Sequence, residues 1–188
     1  TPAMLKGLNA VVYDLQDTGS RSYTFVSTMG LAMEACAEAG VEFIVLDRPN
    51  PLGGLRVEGP MLVDQFRSFV SQCDVPYVYG LTCGELARMI NDRGWIKKRC
   101  KLTVVPMRGW KRSMVWSDTN LPWVPASPHV PHGESPLYQV ATGMLGEIGG
   151  VSIGIGYTLP FQTVAAPNVS PQALAARLNA YGLSGVHF

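Results

Sequence analysis

Two short apolar segments, residues 9–14 and 41–46, flank one amphipathic segment, and this spacing restricts the possible folds more than any other feature of the chain. Their β-branched and aromatic residues are typical of buried strands. Between them, apolar residues from about Thr24 to Ala39 recur at helical spacing, and Gly40 follows where a helix cap is expected. A strand, a helix and a strand in such close succession predict parallel pairing with a right-handed crossover.

The rest of the chain continues the alternation of helices and strands. A capping box of Thr82 and Glu85 predicts a helix that ends near Asp92, and residues 102–106 predict a third strand. Residues 108–134 are rich in Trp, Pro and His, which predicts a long ordered loop with one short helix. Three further elements are expected after this loop: a helix at 135–147, a strand-like segment at 151–155 and a final amphipathic helix at 171–181.

Composition and charge exclude several classes of protein. Hydrophobic residues make up 47% of the 188 residues and charged residues 15%, which is enough for a sizeable core. The formal net charge is +1 without any basic block, so we expect neither nucleic acid nor an anionic membrane surface as a partner. No apolar run is long enough to span a bilayer. Because the chain starts without Met, we expect an internal piece of a longer protein, whose export signal lies outside it.

Neither a metal ion nor an organic cofactor is predicted. The four cysteines form no Cys-x-x-Cys pair and have no histidine at zinc-ligand spacing, so we expect no structural zinc site. Cys36 lies in the apolar helix pattern and is expected to be a buried free thiol. His129 and His132 are expected to be solvated, since a metal site would need a third ligand. Gly154 and Gly156 lack the strand-to-helix context of a dinucleotide fingerprint, which argues against a nucleotide-binding domain.

Polar residues are concentrated after the first predicted strand, at the end where open α/β sheets bind their ligands. This segment combines carboxylates, an amide, a guanidinium and a phenol, which are the groups that a sugar site needs for hydroxyl groups, an acidic substituent and ring stacking. The candidate residues are Asp14, Gln16, Asp17, Arg21 and Tyr23. A structural alternative remains open, in which Asp14 and Asp17 cap the next helix and Arg21 pairs with one of them.

A second polar loop follows the second predicted strand. Prolines and glycines between residues 48 and 60 fix an irregular backbone that can project charged side chains rigidly. The candidates here are Asp47, Arg48, Asn50 and Glu58, although a structural turn with an Asp–Arg pair remains open. Farther along the chain, Glu147 is another candidate carboxylate, because the helix dipole disfavours an acidic residue at the end of a helix.

Five motifs occur in order along nearly the whole chain. They are DLQDTGSRSYTF (14–25), LDRPNPLGG (46–54), VEGP (57–60), GLTCGELA (80–87) and LPW (121–123). Together they resemble the exo-β-N-acetylmuramidase family. The resemblance implies an α/β fold: a Rossmann-like parallel sheet with flanking helices in residues 1–134, lacking its N-terminal part, and the beginning of a second, smaller α/β domain in residues 135–188. It also implies an exported bacterial hydrolase that removes terminal N-acetylmuramic acid from peptidoglycan fragments without a cofactor.

The resemblance also gives the candidate residues their roles. Glycoside cleavage normally needs two carboxyl groups, for which Asp17, Glu58 and Glu147 are the candidates. The remaining candidates are expected to bind substrate, and Arg21 or Arg48 can pair with the lactyl carboxylate that distinguishes muramic acid from glucosamine. We expect this piece alone to be inactive. The family typically has Gly-Thr-Asn after the glutamate, whereas Glu147 precedes Ile-Gly-Gly, so a non-catalytic carbohydrate-binding protein remains the alternative.

Overall fold

The computed structural model describes residues 1–188, which divide into two compact units, Thr1–Pro136 and Leu137–Phe188. No helix combines the length and the apolar character that crossing a membrane requires. Short 3-10 helices occur at Asp64–Phe66, Trp116–Thr119 and Gly143–Glu147. The helices and strands are α1 (Pro2–Leu5), β1 (Ala10–Tyr13), α2 (Phe25–Ala39), β2 (Glu42–Leu46), α3 (Cys83–Asp92), β3 (Leu102–Val105), α4 (Ser135–Thr142) and α5 (Pro171–Asn179).

The three strands form one parallel sheet in the order β1-β2-β3. Ala10 on β1 is paired with Glu42 on β2, and Phe43 is paired with Leu102 on β3. The parallel α/β architecture predicted from the spacing is therefore confirmed. Because the strands run in the same direction, the loops that follow Tyr13, Leu46 and Val105 all leave from one edge of the sheet.

The core of the first unit lies between the sheet and the helices α2 and α3. Met29 and Met33 on α2 are fully buried, as are Val45 on β2 and Leu86 on α3. These apolar side chains recur every three to four residues on each helix, so folding removes one continuous stripe from water. The four cysteines are all buried free thiols, which confirms the expectation for Cys36.

Local capping residues fix where the two main helices begin and end. Gly40 adopts the left-handed conformation (φ 71°) and donates its N–H to the carbonyl of Cys36 at the end of α2. At the start of α3, the Thr82 hydroxyl accepts the N–H of Glu85 at 3.2 Å, while the Glu85 carboxylate accepts the N–H of Thr82 at 3.0 Å. Both predicted caps are confirmed, and the predicted end of α3 at Asp92 is confirmed as well.

The long loop after β3 contains one short 3-10 helix, as predicted from its composition. Trp116 and Trp123 pack edge to face with their ring centroids 4.8 Å apart. The indole N–H of Trp123 donates to the carbonyl of Val130, and Val130 is almost fully buried. These two tryptophans therefore pack against each other within the loop, and Trp123 is also bound to the loop backbone.

In the second unit, one expected element is absent. Residues 151–155 form no strand, and Ser152 makes only an isolated antiparallel bridge with Ala165. The reason is Gly154, whose φ of 77° is incompatible with extended backbone. A Cβ on Gly154 would lie 2.7 Å from the carbonyl oxygen of Leu159, so the chain turns tightly at this point. The helix predicted for residues 135–147 is α-helical only to Thr142 and continues as the 3-10 helix that ends at Glu147.

Candidate functional site

The carboxyl edge of the sheet carries an ion pair between two of the predicted residues. Arg48 Nε donates to Asp14 Oδ1 at 2.7 Å, and the two side chains remain 40% and 47% exposed. Asp14 directly follows β1 and Arg48 lies two residues beyond β2, so the parallel pairing of these strands brings the two side chains together. The structural alternative considered for the first loop is not observed, because Asp14 pairs with Arg48 instead of Arg21 and the N-cap residue of α2 is Thr24. The alternative for the second loop is observed in part, since the Gly53 N–H closes a turn on the Asn50 carbonyl at 3.0 Å and Arg48 forms an ion pair with an aspartate, Asp14.

Asp17 lies beneath this surface and is 5% exposed. Its Oδ2 accepts hydrogen bonds from the Tyr79 hydroxyl and, at 2.8 Å, from the N–H of Gly19. Its Oδ1 has no hydrogen-bond partner. Burial raises the pKa of Asp17 to about 6, and the hydrogen bonds from Tyr79 and Gly19 oppose this rise without cancelling it. Asp17 is thus a carboxyl group that can hold a proton close to neutral pH.

The raised pKa of Asp17 predicts a pH dependence of stability. Because the folded carboxyl binds its proton more tightly than the unfolded one, this contribution is complete below the unfolded pKa of 3.8 and is lost as the pH rises through about 6. We expect the free energy of unfolding of wild type, relative to that of Asp17→Asn, to fall by about 2 kcal/mol between pH 4.5 and pH 7. Urea unfolding of both proteins at the two pH values measures this difference.

The exposed Glu38→Gln variant provides the control, because it also removes one carboxyl group. Glu38→Gln should retain the pH dependence of wild type. Asp17→Asn retains an oxygen that can accept the Tyr79 hydroxyl, so its fold is expected to persist. Equal slopes for wild type and Asp17→Asn would contradict a raised pKa at Asp17.

Gln16 and Asn50 lie in the same inner layer and connect the two polar loops. Gln16 Nε2 donates to the carbonyl of Pro49 at 2.9 Å. Asn50 Nδ2 donates to the carbonyl of Leu81 at 2.9 Å, and Asn50 Oδ1 accepts the N–H of Leu52 at the same distance. Both amides therefore bind backbone groups, and Asn50 is only 3% exposed. Their evident contribution is to hold the loops that carry Asp14, Asp17 and Arg48.

Asp47 caps the start of α3. Its Oδ2 accepts the Thr82 hydroxyl at 2.8 Å, and its Oδ1 accepts the N–H of Gly84 at 2.8 Å. Its carboxylate therefore faces the positive end of the helix dipole. Gly84 permits this approach, because a Cβ at that position would lie 2.8 Å from Asp47 Cγ. The structure gives Asp47 a structural contact that joins β2 to α3.

Arg21 is 8% exposed and is surrounded by backbone carbonyls. Its Nη1 donates to the carbonyls of Val75 at 2.6 Å and Pro60 at 2.9 Å, and its Nε donates to the hydroxyl of Ser71 at 3.3 Å. Burial lowers the pKa of Arg21 below its ordinary value. These bonds attach the segment 57–79 to the loop after β1.

Glu58, Tyr23 and Glu147 are the remaining candidates. The Glu58 side chain is exposed, while its backbone exchanges hydrogen bonds of 3.0 and 2.9 Å with Val78. Tyr23 is half-buried against Phe25, and burial raises the pKa of its hydroxyl. Glu147 is an exposed residue of the second unit at the end of a 3-10 helix. The structure therefore groups Asp14 with Arg48, and Gln16 with Asp17 and Asn50 beneath them.

Two residues that contact this site were not singled out from the sequence. Tyr79 binds the buried Asp17, although the two are far apart in the chain. Arg112 binds the Glu85 carboxylate at 2.7 Å and the carbonyls of Gly54 and Gly80 at 2.7 and 2.6 Å. Neither residue directly follows a predicted strand, so no local sequence pattern points to it. No group of three or more His, Cys, Asp or Glu side chains is arranged to hold a metal ion.

The fold and the site define the class: an α/β protein with a parallel sheet whose carboxylates, amides and cations collect at the carboxyl edge. The family expected from the five motifs is confirmed by comparison with known proteins. The chain belongs to the exo-β-N-acetylmuramidase NamZ family, whose N-terminal domain model matches residues 1–134 and whose C-terminal domain model matches residues 137–188.

Individual relatives are similar over the whole chain. A protein of Bacillus subtilis strain 168 named peptidoglycan β-N-acetylmuramidase NamZ is 45% identical over 188 residues, which cover all of this chain and 45% of the relative. A crystal structure of a DUF1343 family protein from Bacteroides fragilis has 55% identity and a TM-score of 0.95, covering 100% of this chain and 49% of that one. A second such protein from B. fragilis has 37% identity and a TM-score of 0.82, covering 90% and 47%. The chain thus spans less than half the length of each of these relatives.

Proposed function

We propose that the protein to which this chain belongs is an exo-β-N-acetylmuramidase that removes terminal N-acetylmuramic acid from peptidoglycan fragments. The observation that carries the proposal is the 45% identity, over the whole chain, with a relative named peptidoglycan β-N-acetylmuramidase. The polar groups of the site agree with a sugar substrate, because hydroxyl groups need both donors and acceptors. Since peptidoglycan lies outside the cytoplasmic membrane, we further propose that the protein is exported.

Three carboxyl groups remain candidates for the chemistry. Hydrolysis of a glycosidic bond needs one carboxyl that donates a proton to the leaving oxygen and a second that acts as base or nucleophile. Glu58 and Glu147 are exposed and can approach a substrate directly. Asp17 is held inside the protein with its pKa raised to about 6, so its proposed contribution is a proton held close to the reacting groups. Among the residues predicted to bind substrate, Tyr23 and Arg48 are the proposed direct contacts, whereas Asp14, Gln16, Arg21, Asp47 and Asn50 are proposed to hold the loops around them.

A release assay on the full-length protein tests this function. The substrate is the disaccharide in which N-acetylmuramic acid occupies the non-reducing end and N-acetylglucosamine the reducing end. We expect free N-acetylmuramic acid to be released from it. The disaccharide with the reverse order is the matched control and should remain intact, because an exo-acting enzyme for terminal muramic acid has no bond to cleave there.

Sugar binding measured in parallel separates the alternatives. Binding of the disaccharide without any turnover would favour the alternative function, that of a non-catalytic carbohydrate-binding protein. The altered segment after Glu147 is the observation that motivates this alternative. If the muramic acid disaccharide is neither bound nor turned over, the proposed substrate class is contradicted.

A further inference from the structure

Arg48 differs from Arg21 and Arg112 in how many N–H groups of its guanidinium remain free. Its Nε is bound to Asp14 Oδ1 at 2.7 Å, whereas its two terminal nitrogens donate to no protein group. The side chain is 40% exposed at the carboxyl edge of the sheet. Arg48 therefore presents two adjacent N–H groups to solvent in a direction that Asp14 holds fixed.

Arg21 and Arg112 have partners that leave little capacity for a ligand. Arg21 is 8% exposed, and its Nη1 and Nε donate to the carbonyls of Pro60 and Val75 and to Ser71. Arg112 uses both of its terminal nitrogens on Glu85 and on two backbone carbonyls. Of these three cations, only Arg48 combines exposure with unpartnered terminal nitrogens.

This geometry suits a carboxylate ligand. The terminal nitrogens of a guanidinium match the two oxygens of a carboxylate and form two parallel charge-assisted hydrogen bonds with it. A long side chain that is free in solution loses rotational freedom when it binds, and this loss lowers affinity. The hydrogen bond from Nε to Asp14 removes much of that rotational freedom before a ligand binds. It also leaves the two terminal nitrogens of the guanidinium exposed to solvent.

We propose that Arg48, oriented by Asp14, binds the carboxylate of an acidic sugar and thereby selects N-acetylmuramic acid over N-acetylglucosamine. The inference rests on the proposed function and deepens it by assigning the recognition of the lactyl group to one residue. Asp14 acts as a positioning residue, because it contacts Arg48 rather than the ligand. Arg21, the other cation considered for this role, instead attaches the segment 57–79 through backbone carbonyls.

Matched substrates test this assignment in the full-length protein. The 4-nitrophenyl β-glycosides of N-acetylmuramic acid and of N-acetylglucosamine differ only in the lactyl group. We expect Arg48→Gln to raise KM for the muramic acid glycoside by about tenfold or more, with a much smaller change in kcat, as for the loss of a ground-state contact. The rate with the N-acetylglucosamine glycoside should not fall. Asp14→Ala, which removes the acceptor of the Nε–H, should raise the same KM by a smaller factor, and Arg48→Lys should fall between wild type and Arg48→Gln.

The exposed Arg56→Gln variant is the control for the loss of one positive charge and should behave as wild type. An equal loss of activity on both glycosides, or an unchanged KM in Arg48→Gln, would overturn the assignment. If wild type turns over neither glycoside, the proposed hydrolase activity fails, and binding of the free sugars then tests Arg48 independently. In that binding measurement, the proposal is supported if wild type binds N-acetylmuramic acid more tightly than N-acetylglucosamine and Arg48→Gln does not. It is overturned if both proteins show the same preference, or if wild type shows none.

Discussion

Replacement of Glu147 by glutamine is expected to slow the release of N-acetylmuramic acid by about a hundredfold or more, the loss typical of an acid/base group. Glutamine keeps the size of the side chain and can neither donate the carboxyl proton nor act as a base. Glu147 forms no ion pair in the structure and is exposed, so its removal should have little effect on folding. The measurement is kcat of the full-length protein with the muramic acid disaccharide.

Two companion variants give this experiment its control and its alternative. Glu38→Gln removes an exposed carboxylate from α2 and should leave kcat unchanged. Glu58→Gln tests the other exposed candidate, which lies in the first unit. Undiminished turnover in Glu147→Gln together with a large loss in Glu58→Gln would remove Glu147 from the mechanism and assign the chemistry to Glu58.

Substitution of Gly19 by alanine should destabilise the chain by about 3–4 kcal/mol, because it combines backbone strain with the loss of a buried hydrogen-bonding arrangement. Gly19 has a φ of +81°, and a Cβ at this position would lie 2.3 Å from Asn50 Oδ1. Asn50 would have to move, although its side chain bonds the backbone of both Leu52 and Leu81. The N–H of Gly19 also donates to Asp17, so the displacement would reach the inner layer of the site.

Gly40→Ala separates the two contributions. Gly40 has a similar φ of +71°, but no atom lies within 4 Å of the position that its Cβ would take. This variant should cost only about 1 kcal/mol, the strain of a left-handed alanine. The free energies of unfolding in urea measure both effects. Equal losses in the two variants would show that the close approach of Asn50 to Gly19 contributes nothing to stability.

Much of the fold followed from local sequence patterns. The helical spacing before Gly40 and the capping box at Thr82 each predicted the helix that is observed, because helix ends depend on residues within one turn of chain. The parallel direction of β1 and β2 followed from the length of the helical crossover between them. Residues 151–155 were an exception, since their alternating pattern resembles a strand. Only the positive φ of Gly154, which the sequence does not reveal, shows that the backbone turns there.

The site was less accessible to such reasoning, since its contacts join residues far apart in the chain. The sequence located the polar segments after both strands, and with them Asp14, Asp17 and Arg48. It could not show that Arg48 rather than Arg21 would pair with Asp14, because this depends on the register of β1 and β2. Nor could it show that the Tyr79 hydroxyl would reach the carboxylate of Asp17.

The sequence by itself determined the three strands and the two main helices of the first unit, their parallel sheet and the membership of an exo-β-N-acetylmuramidase family. Each of these depends on short-range patterns or on motifs that the chain carries in full. Only the tertiary structure decided which polar side chains are buried and which face solvent. Burial is a property of the packed molecule, and it is the desolvation of Asp17, together with the exposure of Arg48, that distinguishes an inner carboxyl group with a raised pKa from a cation that faces solvent.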